Sequence, residues 1–109
     1  MTRRFIIVFA VVLLIGQLCP FASAAESHRI VQKNRGFEPT QITIAAGDTL
    51  EFSNEDGFLH QIYVDGGGMS FESDEQPPGQ TIKVRFPIAG TFEVHCHIHP
   101  KMVLTVTVK

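Results

Sequence analysis

The chain has 109 residues, enough for one domain, with nine basic and eleven acidic side chains and a formal net charge of −2. This slight acidic excess excludes the dense positive charge that binding to nucleic acid or anionic lipid needs, so neither is expected as a partner. Only two cysteines, Cys19 and Cys96, are present.

Residues 1–24 have the pattern of a cleaved secretory signal peptide. Two arginines precede an apolar run from Phe5 to Leu18, and small residues close the segment at Ala22–Ala25. The run is shorter than the roughly 20 apolar residues of a membrane-spanning helix, so no stable membrane insertion is expected after cleavage. We therefore expect a periplasmic or otherwise exported protein whose single domain occupies residues 25–109.

Cleavage after Ala24 changes both the charge and the cysteine content. It removes two arginines and no acidic residue, which leaves seven basic residues against eleven acidic ones and a net charge of −4. It also removes Cys19, so Cys96 remains alone and cannot form an internal disulfide. An unpaired cysteine in an oxidising compartment calls for another role.

Residues 25–109 alternate apolar and polar side chains with a period of two, which is typical of β-strands. Turn-forming residues separate the alternating segments, and no helical period is present. The pattern predicts an all-β fold, a single antiparallel Greek-key β-sandwich or barrel of about seven strands. The predicted strands are Arg29–Gln32, Gln41–Ile44, Thr49–Phe52, Gln61–Val64, Thr81–Phe86, Thr91–Val94 and Leu104–Val108.

Metal-binding side chains crowd the end of the sixth predicted strand. Strand parity places Cys96 on the inward face with Phe92 and Val94, and places His95 and His97 on the opposite face. Two further candidates follow the strand, where a loop can turn back toward Cys96; they are His99 and Met102. A thiolate, imidazoles and a thioether are the ligand types of mononuclear copper sites for electron transfer.

His60 is the upstream candidate, because it shares inward parity with Ile62 and Val64 at the start of a predicted strand. Each candidate alone has a structural alternative, namely a buried inert cysteine, a hydrogen-bonded core histidine or a packing methionine. His97 is interpreted either as a solvated loop residue or as a second metal contact or pH-sensitive group. The combination of the four side chains is what indicates a metal site.

A series of short motifs extends over residues 36–109. They are Phe37-Glu38-Pro39, Ala46-Gly47-Asp48-Thr49, Asn54 six residues before His60, Pro78-Gly79, Gly90-Thr91-Phe92 and Cys96-x2-His99-Pro100-x-Met102. In these motifs the chain resembles the cupredoxins, and within them the amicyanin, pseudoazurin and plastocyanin group. The resemblance implies that His60, Cys96 and His99 are equatorial ligands of one copper ion, with Met102 axial. It also implies that Asn54 fixes a loop, while Gln61 departs from the asparagine common at that position.

The resemblance further implies a blue copper protein that shuttles single electrons through a type 1 site cycling between Cu(I) and Cu(II). A redox protein such as a c-type cytochrome or a dehydrogenase is the expected partner, docking on Phe58, Leu59 and Pro100 near His99. Acidic residues are expected either to steer a basic partner or to be solvated loop residues; they are Glu55, Asp56, Glu72, Asp74 and Glu75.

The sequence leaves open an alternative function, in which the same ligands store, sense or deliver copper without transferring electrons. An enzyme is not expected, because one cysteine cannot bridge a dinuclear copper centre and five histidines are too few for a multicopper oxidase. A monomer is expected.

Overall fold

The computed structural model describes residues 24–109, so the predicted signal peptide lies outside the described residues except for its last one. Residues 24–109 form nine strands and no helix, which confirms the predicted all-β class; they therefore contain no helix suited to crossing a bilayer. The strands are β1 (Ser27–Lys33), β2 (Gly36–Glu38), β3 (Gln41–Ile44), β4 (Thr49–Asn54), β5 (Ile62–Gly66), β6 (Met69–Glu72), β7 (Thr81–Arg85), β8 (Gly90–Cys96) and β9 (Val103–Val108).

The strands form two sheets that share one apolar core. The first sheet has the order β2-β1-β4-β7 and the second has the order β3-β9-β8-β5-β6. Most neighbours are antiparallel, but β1 with β4 and β3 with β9 run parallel. The predicted antiparallel pairing does not hold at these two pairs, because the alternation of side chains indicates which face is buried and not the direction of the neighbouring strand.

Two strands, β2 and β6, were not among the seven predicted. With three residues, β2 is too short to show an alternating pattern. Strand β6 pairs with β5 across a turn at Gly67 and Gly68, which have φ angles of 61° and 83°. A Cβ atom at Gly67 would lie 2.8 Å from Cε1 of Phe92, so this turn accepts no side chain there. Met69 begins β6 and packs against the core.

Apolar side chains on the inward faces of β4 and β8 extend the core toward one end of the sandwich. Leu50 and Phe52 on β4 are fully buried, as is Val94 on β8. Each such side chain stabilises the fold by about 1.5–3 kcal/mol relative to exposure. The last inward positions of these strands are Asn54 and Cys96, which are 1% and 2% exposed. The apolar core therefore ends on an amide and a thiol, beneath the loops that follow β4 and β8.

Candidate metal centre

Cys96 occupies the last position of β8 with its side chain turned into the core, as parity predicted. It pairs with Ile62 of β5, and it is the only cysteine among residues 24–109. At 2% exposure, this free thiol is almost completely buried.

His60 stands opposite Cys96, completely buried at the start of the segment that becomes β5. Its backbone exchanges two hydrogen bonds with Gln76, the His60 N–H donating at 3.1 Å and the Gln76 N–H at 2.7 Å. The imidazole Nδ1 lies 3.7 Å from the Sγ of Cys96. The structure thus brings together two residues that are 36 positions apart in the sequence.

The separation of these two donors fits a shared metal ion. A metal bonded to sulfur at about 2.3 Å and to nitrogen at about 2.0 Å, as zinc is, holds them about 3.5–3.7 Å apart at tetrahedral to trigonal angles. The observed 3.7 Å lies in this range.

His99 and Met102 lie in the loop between β8 and β9, where a turn places the Met102 N–H 3.0 Å from the His99 carbonyl oxygen. The His99 ring centroid is 5.1 Å from that of His60. The Nε2 of His99 is buried without a hydrogen-bond partner. A buried polar atom normally has a partner, and a bound metal would supply one here. Met102 is 1% exposed.

All four predicted ligands therefore belong to the same end of the core. Within residues 24–109, no three His, Cys, Asp or Glu side chains already form a group that could hold an ion.

Asn54 organises the loop that leads from β4 to His60. Its Nδ2 donates to the carbonyl oxygens of Phe58 at 2.9 Å and Gln76 at 3.0 Å, and its Oδ1 accepts from the Asp56 N–H at 3.0 Å. These are the contacts of a loop-fixing residue, the role that the resemblance implied. The ring of Phe58 then packs edge-on against both imidazoles, 5.4 Å from His60 and 5.0 Å from His99.

Asp56 is the residue whose role the sequence interpretation missed. It was interpreted as one of several surface acids, but its side chain is only 7% exposed and its Oδ2 lies 2.8 Å from Nε2 of His60. Burial raises the pKa of Asp56, but hydrogen bonds from His60 and from the N–H groups of Asn34 and Arg35 outweigh burial and hold the pKa below its ordinary value. The only sequence feature that could have indicated this contact is an acidic residue four positions before the candidate histidine.

Gln61, which departs from the family pattern, ties the site to a neighbouring loop. Its Nε2 donates to the Ser73 carbonyl oxygen at 3.0 Å, and its own carbonyl oxygen accepts from the His97 N–H at 2.8 Å. Ser73 also accepts a hydrogen bond from the Ile62 N–H through its Oγ. The residues directly after His60 and Cys96 are thereby fixed to each other.

His97 points away from the cluster. Its ring stacks on Tyr63 with centroids 4.1 Å apart, and its Nε2 lies 3.1 Å from Glu72 Oε1. Because the side chain is 43% exposed on the outer face, this geometry favours the interpretation as a surface residue.

Fold and cluster together define a two-sheet β-sandwich protein with a buried set of sulfur and imidazole donors at one end. A model of the cupredoxin-like domain matches residues 5–108. The chain belongs to the cupredoxin-like family.

Its relatives include plastocyanins. The plastocyanin of Ulva prolifera is 34% identical over 84 residues, covering 67% of this chain and 86% of that protein. The chloroplastic plastocyanin of Fritillaria agrestis is 32% identical over 74 residues, covering 58% of this chain. The match spans 45% of the length of the Fritillaria protein.

Solved structures share the fold. An amicyanin mutant in its Cu(I) form superposes with a TM-score of 0.71 at 22% identity, covering 81% of this chain and 87% of that one. The Cu-containing nitrite reductase of Thermus scotoductus gives a TM-score of 0.68 at 26% identity, covering 74% of this chain but only 22% of that one. The likeness to the reductase is therefore confined to a domain-sized part of it.

Proposed function

We propose that this protein carries single electrons through one copper ion per chain, bound by His60, Cys96, His99 and Met102. The observation that carries the proposal is the 3.7 Å separation of His60 Nδ1 and Cys96 Sγ at the buried end of the core. A thiolate with two imidazoles and a weak thioether is the donor set that selects copper for electron transfer. The bound ion would supply a one-electron Cu(I)/Cu(II) couple.

The backbone around these side chains supports a carrier, because its hydrogen bonds do not depend on the oxidation state of a bound ion. His60 is fixed by its two hydrogen bonds to Gln76, and the Met102 N–H is fixed to the His99 carbonyl oxygen. A framework of this kind limits rearrangement when an electron arrives or leaves.

Burial favours the carrier over storage or delivery of copper. His60, Cys96 and Met102 are 0%, 2% and 1% exposed, and only His99 is partly accessible. Handing the ion to another protein would require incoming ligands to reach past these side chains. An electron, in contrast, needs only close approach to His99. We assign no catalytic role to the site.

A surface around His99 suits contact with a redox partner such as a c-type cytochrome or a dehydrogenase. Leu59 and Ile98 are exposed large apolar residues, at 38% and 43%, and Ile98 lines a surface depression together with His99 and Pro100. Exposed apolar side chains beside a candidate ligand form a docking surface through which electrons would leave. We call Leu59, Ile98 and Pro100 the docking surface.

Exposed acidic residues would steer a basic partner. Glu72, Asp74 and Glu75 line one groove and are exposed. Two of the predicted acids contact basic side chains, Glu55 with Arg29 at 2.8 Å and Glu72 with His97 at 3.1 Å. Because exposed charges act over roughly the 10 Å Debye length at 0.1 M salt, the association rate should fall as salt is added.

We further propose that residues 1–24 are removed on export and that residues 25–109 act in the periplasm. Directly after the predicted cleavage point, the Glu26 N–H donates to Asp48 Oδ1 at 2.9 Å, which ties the start of residues 25–109 to the sandwich. Sequencing the N-terminus of periplasmic protein should give Ala25 as its first residue. Recovery of the unprocessed chain in the cytoplasm would contradict this.

Adding Cu(II) to the processed protein tests the central proposal. We expect the intense visible absorption of a copper–thiolate bond, lost in Cys96→Ser and retained in His95→Ala. His95 is a matched control, because it adjoins Cys96 but pairs with Glu93 on the outer face. A colourless wild-type complex would contradict the proposed copper–thiolate site. Ready transfer of copper to a second protein without redox cycling would favour the alternative function of copper delivery.

A further inference from the structure

The loop between β4 and β5 buries a carboxylate against the back of a candidate ligand. Asp56 Oδ2 lies 2.8 Å from Nε2 of His60, on the side of the ring away from Cys96. The two side chains are 7% and 0% exposed, so water does not compete for this contact. Such a placement is unusual for an acid in a turn, since carboxylates are rarely buried unless they are fully paired.

The position of Asp56 is fixed by groups other than His60. Its Oδ1 accepts from the Asn34 N–H at 2.7 Å, and its Oδ2 accepts from the Arg35 N–H at 3.2 Å. These two residues form the turn between β1 and β2, with φ angles of 54° and 53°. Successive N–H groups in such a turn create a concavity that binds an anion. The backbone N–H groups therefore hold the carboxylate in place independently of its contact with His60.

This contact decides which nitrogen of His60 carries the proton. A neutral imidazole has one donor and one acceptor nitrogen, and an ionised carboxylate can only accept. With Nε2 donating to Asp56, Nδ1 keeps its lone pair on the side that faces Cys96 at 3.7 Å. A carboxylate behind a ligating histidine also makes the imidazole a stronger electron donor.

We propose that Asp56 is a positioning residue that fixes the tautomer of His60 and, through the charge it places behind the ring, makes the site favour Cu(II) over Cu(I). The first part concerns the protein without metal. The second part rests on the proposed function, because it requires bound copper.

The tautomer is tested in metal-free protein by ¹⁵N NMR of the histidine rings at about pH 8, where an ordinary imidazole of pKa about 6.5 is neutral. We expect His60 to be the Nε2–H tautomer in the wild type and a mixture, or the Nδ1–H tautomer, in Asp56→Ala. Glu55→Ala, the neighbouring acid in the same loop, should leave the tautomer unchanged. An unchanged Nε2–H tautomer in a folded Asp56→Ala variant overturns the inference whether or not copper binds.

The electronic effect is tested with Asp56→Asn, which keeps the volume and removes the charge, so it also serves if Asp56→Ala fails to fold. Losing a carboxylate behind a ligating histidine typically weakens metal binding 10- to 100-fold. A tenfold loss confined to Cu(II) raises the midpoint potential by about 59 mV. Glu55→Gln should not move the potential. An unchanged potential in Asp56→Asn would overturn this part, while absence of the copper–thiolate band in wild type would instead refute the proposed function.

Discussion

Gln76 is hydrogen-bonded to His60 through both its backbone N–H and its carbonyl oxygen, and its side chain is hydrogen-bonded to β4. Besides the two bonds of the His60 bridge, Gln76 Nε2 donates to the carbonyl oxygens of Phe52 at 3.0 Å and Gln80 at 2.8 Å. Gln76 is completely buried, so it links the candidate ligand to β4 inside the core. The rigidity of the site thus depends on a residue that is not itself a candidate ligand.

Replacing Gln76 by Ala should destabilise the protein without metal by about 1–3 kcal/mol, because buried carbonyl oxygens lose their donors. Urea unfolding of the metal-free protein measures the change. Gln80→Ala removes an exposed amide side chain nearby and should change stability by less than about 0.5 kcal/mol. Equal effects of the two variants would contradict the role assigned to Gln76.

Met102→Leu should separate the proposed metal role of Met102 from its packing role. The two side chains have similar volume, so the metal-free protein should lose less than about 1.5 kcal/mol. The visible spectrum and potential of the copper form should shift, because the thioether is gone. Met69→Leu, a second buried-face methionine outside the cluster, is the control and should leave both unchanged.

The pH dependence of stability should show the contribution of Asp48. Hydrogen bonds from the Glu26 N–H, from His28 and from the Ala45 N–H lower its pKa from 3.8 to about 2. A carboxyl with a depressed pKa adds stability above its ordinary pKa, and that stability disappears as the pH falls toward the folded value. The difference in unfolding free energy between wild type and Asp48→Asn should therefore shrink from about pH 4 to pH 2. Asp65→Asn serves as control, and a difference that is constant with pH would count against the assignment.

Gly67→Ala should destabilise the turn between β5 and β6 by about 2–4 kcal/mol, combining left-handed backbone strain with overpacking. The added methyl would meet the ring of Phe92 at 2.8 Å. Gly57→Ala is the matched control, because no atom lies within 4 Å of its added carbon. Thermal unfolding compares the two, and similar losses would show that contact with Phe92 is unimportant.

Ile98→Ser should slow electron exchange with a c-type cytochrome if the docking surface is the contact. Ile88→Ser is a close control, since Ile88 is 39% exposed against 43% for Ile98 but precedes β8 at the other end of the sandwich. Stopped-flow mixing at fixed ionic strength measures both rates. A slower rate in Ile88→Ser alone would contradict the proposed docking surface, because it would place the partner contact at the opposite end of the sandwich.

The sequence predicted those features that depend on neighbouring residues. Alternation along β8 placed Cys96 inward, and the same rule placed His60 inward, and the structure buries both side chains. It did not predict the contact of Asp56 with His60. That contact depends on the N–H groups of Asn34 and Arg35, more than twenty positions away, whose turn folds against the β4–β5 loop. The parallel pairing of β3 with β9 was missed for a similar reason, since the two strands lie 59 or more positions apart.

The same parallel pairing bears on how the molecule reaches its folded state. Strand β9, at residues 103–108, lies between β3 and β8 and has no free edge. Until β9 has been synthesised, β3 has no neighbour in its sheet, and β8 has only β5. Because the contacts of this sheet join distant parts of the chain, a growing polypeptide cannot complete the sheet stepwise. We therefore expect the second sheet and the loop between β8 and β9 to form together, late in folding.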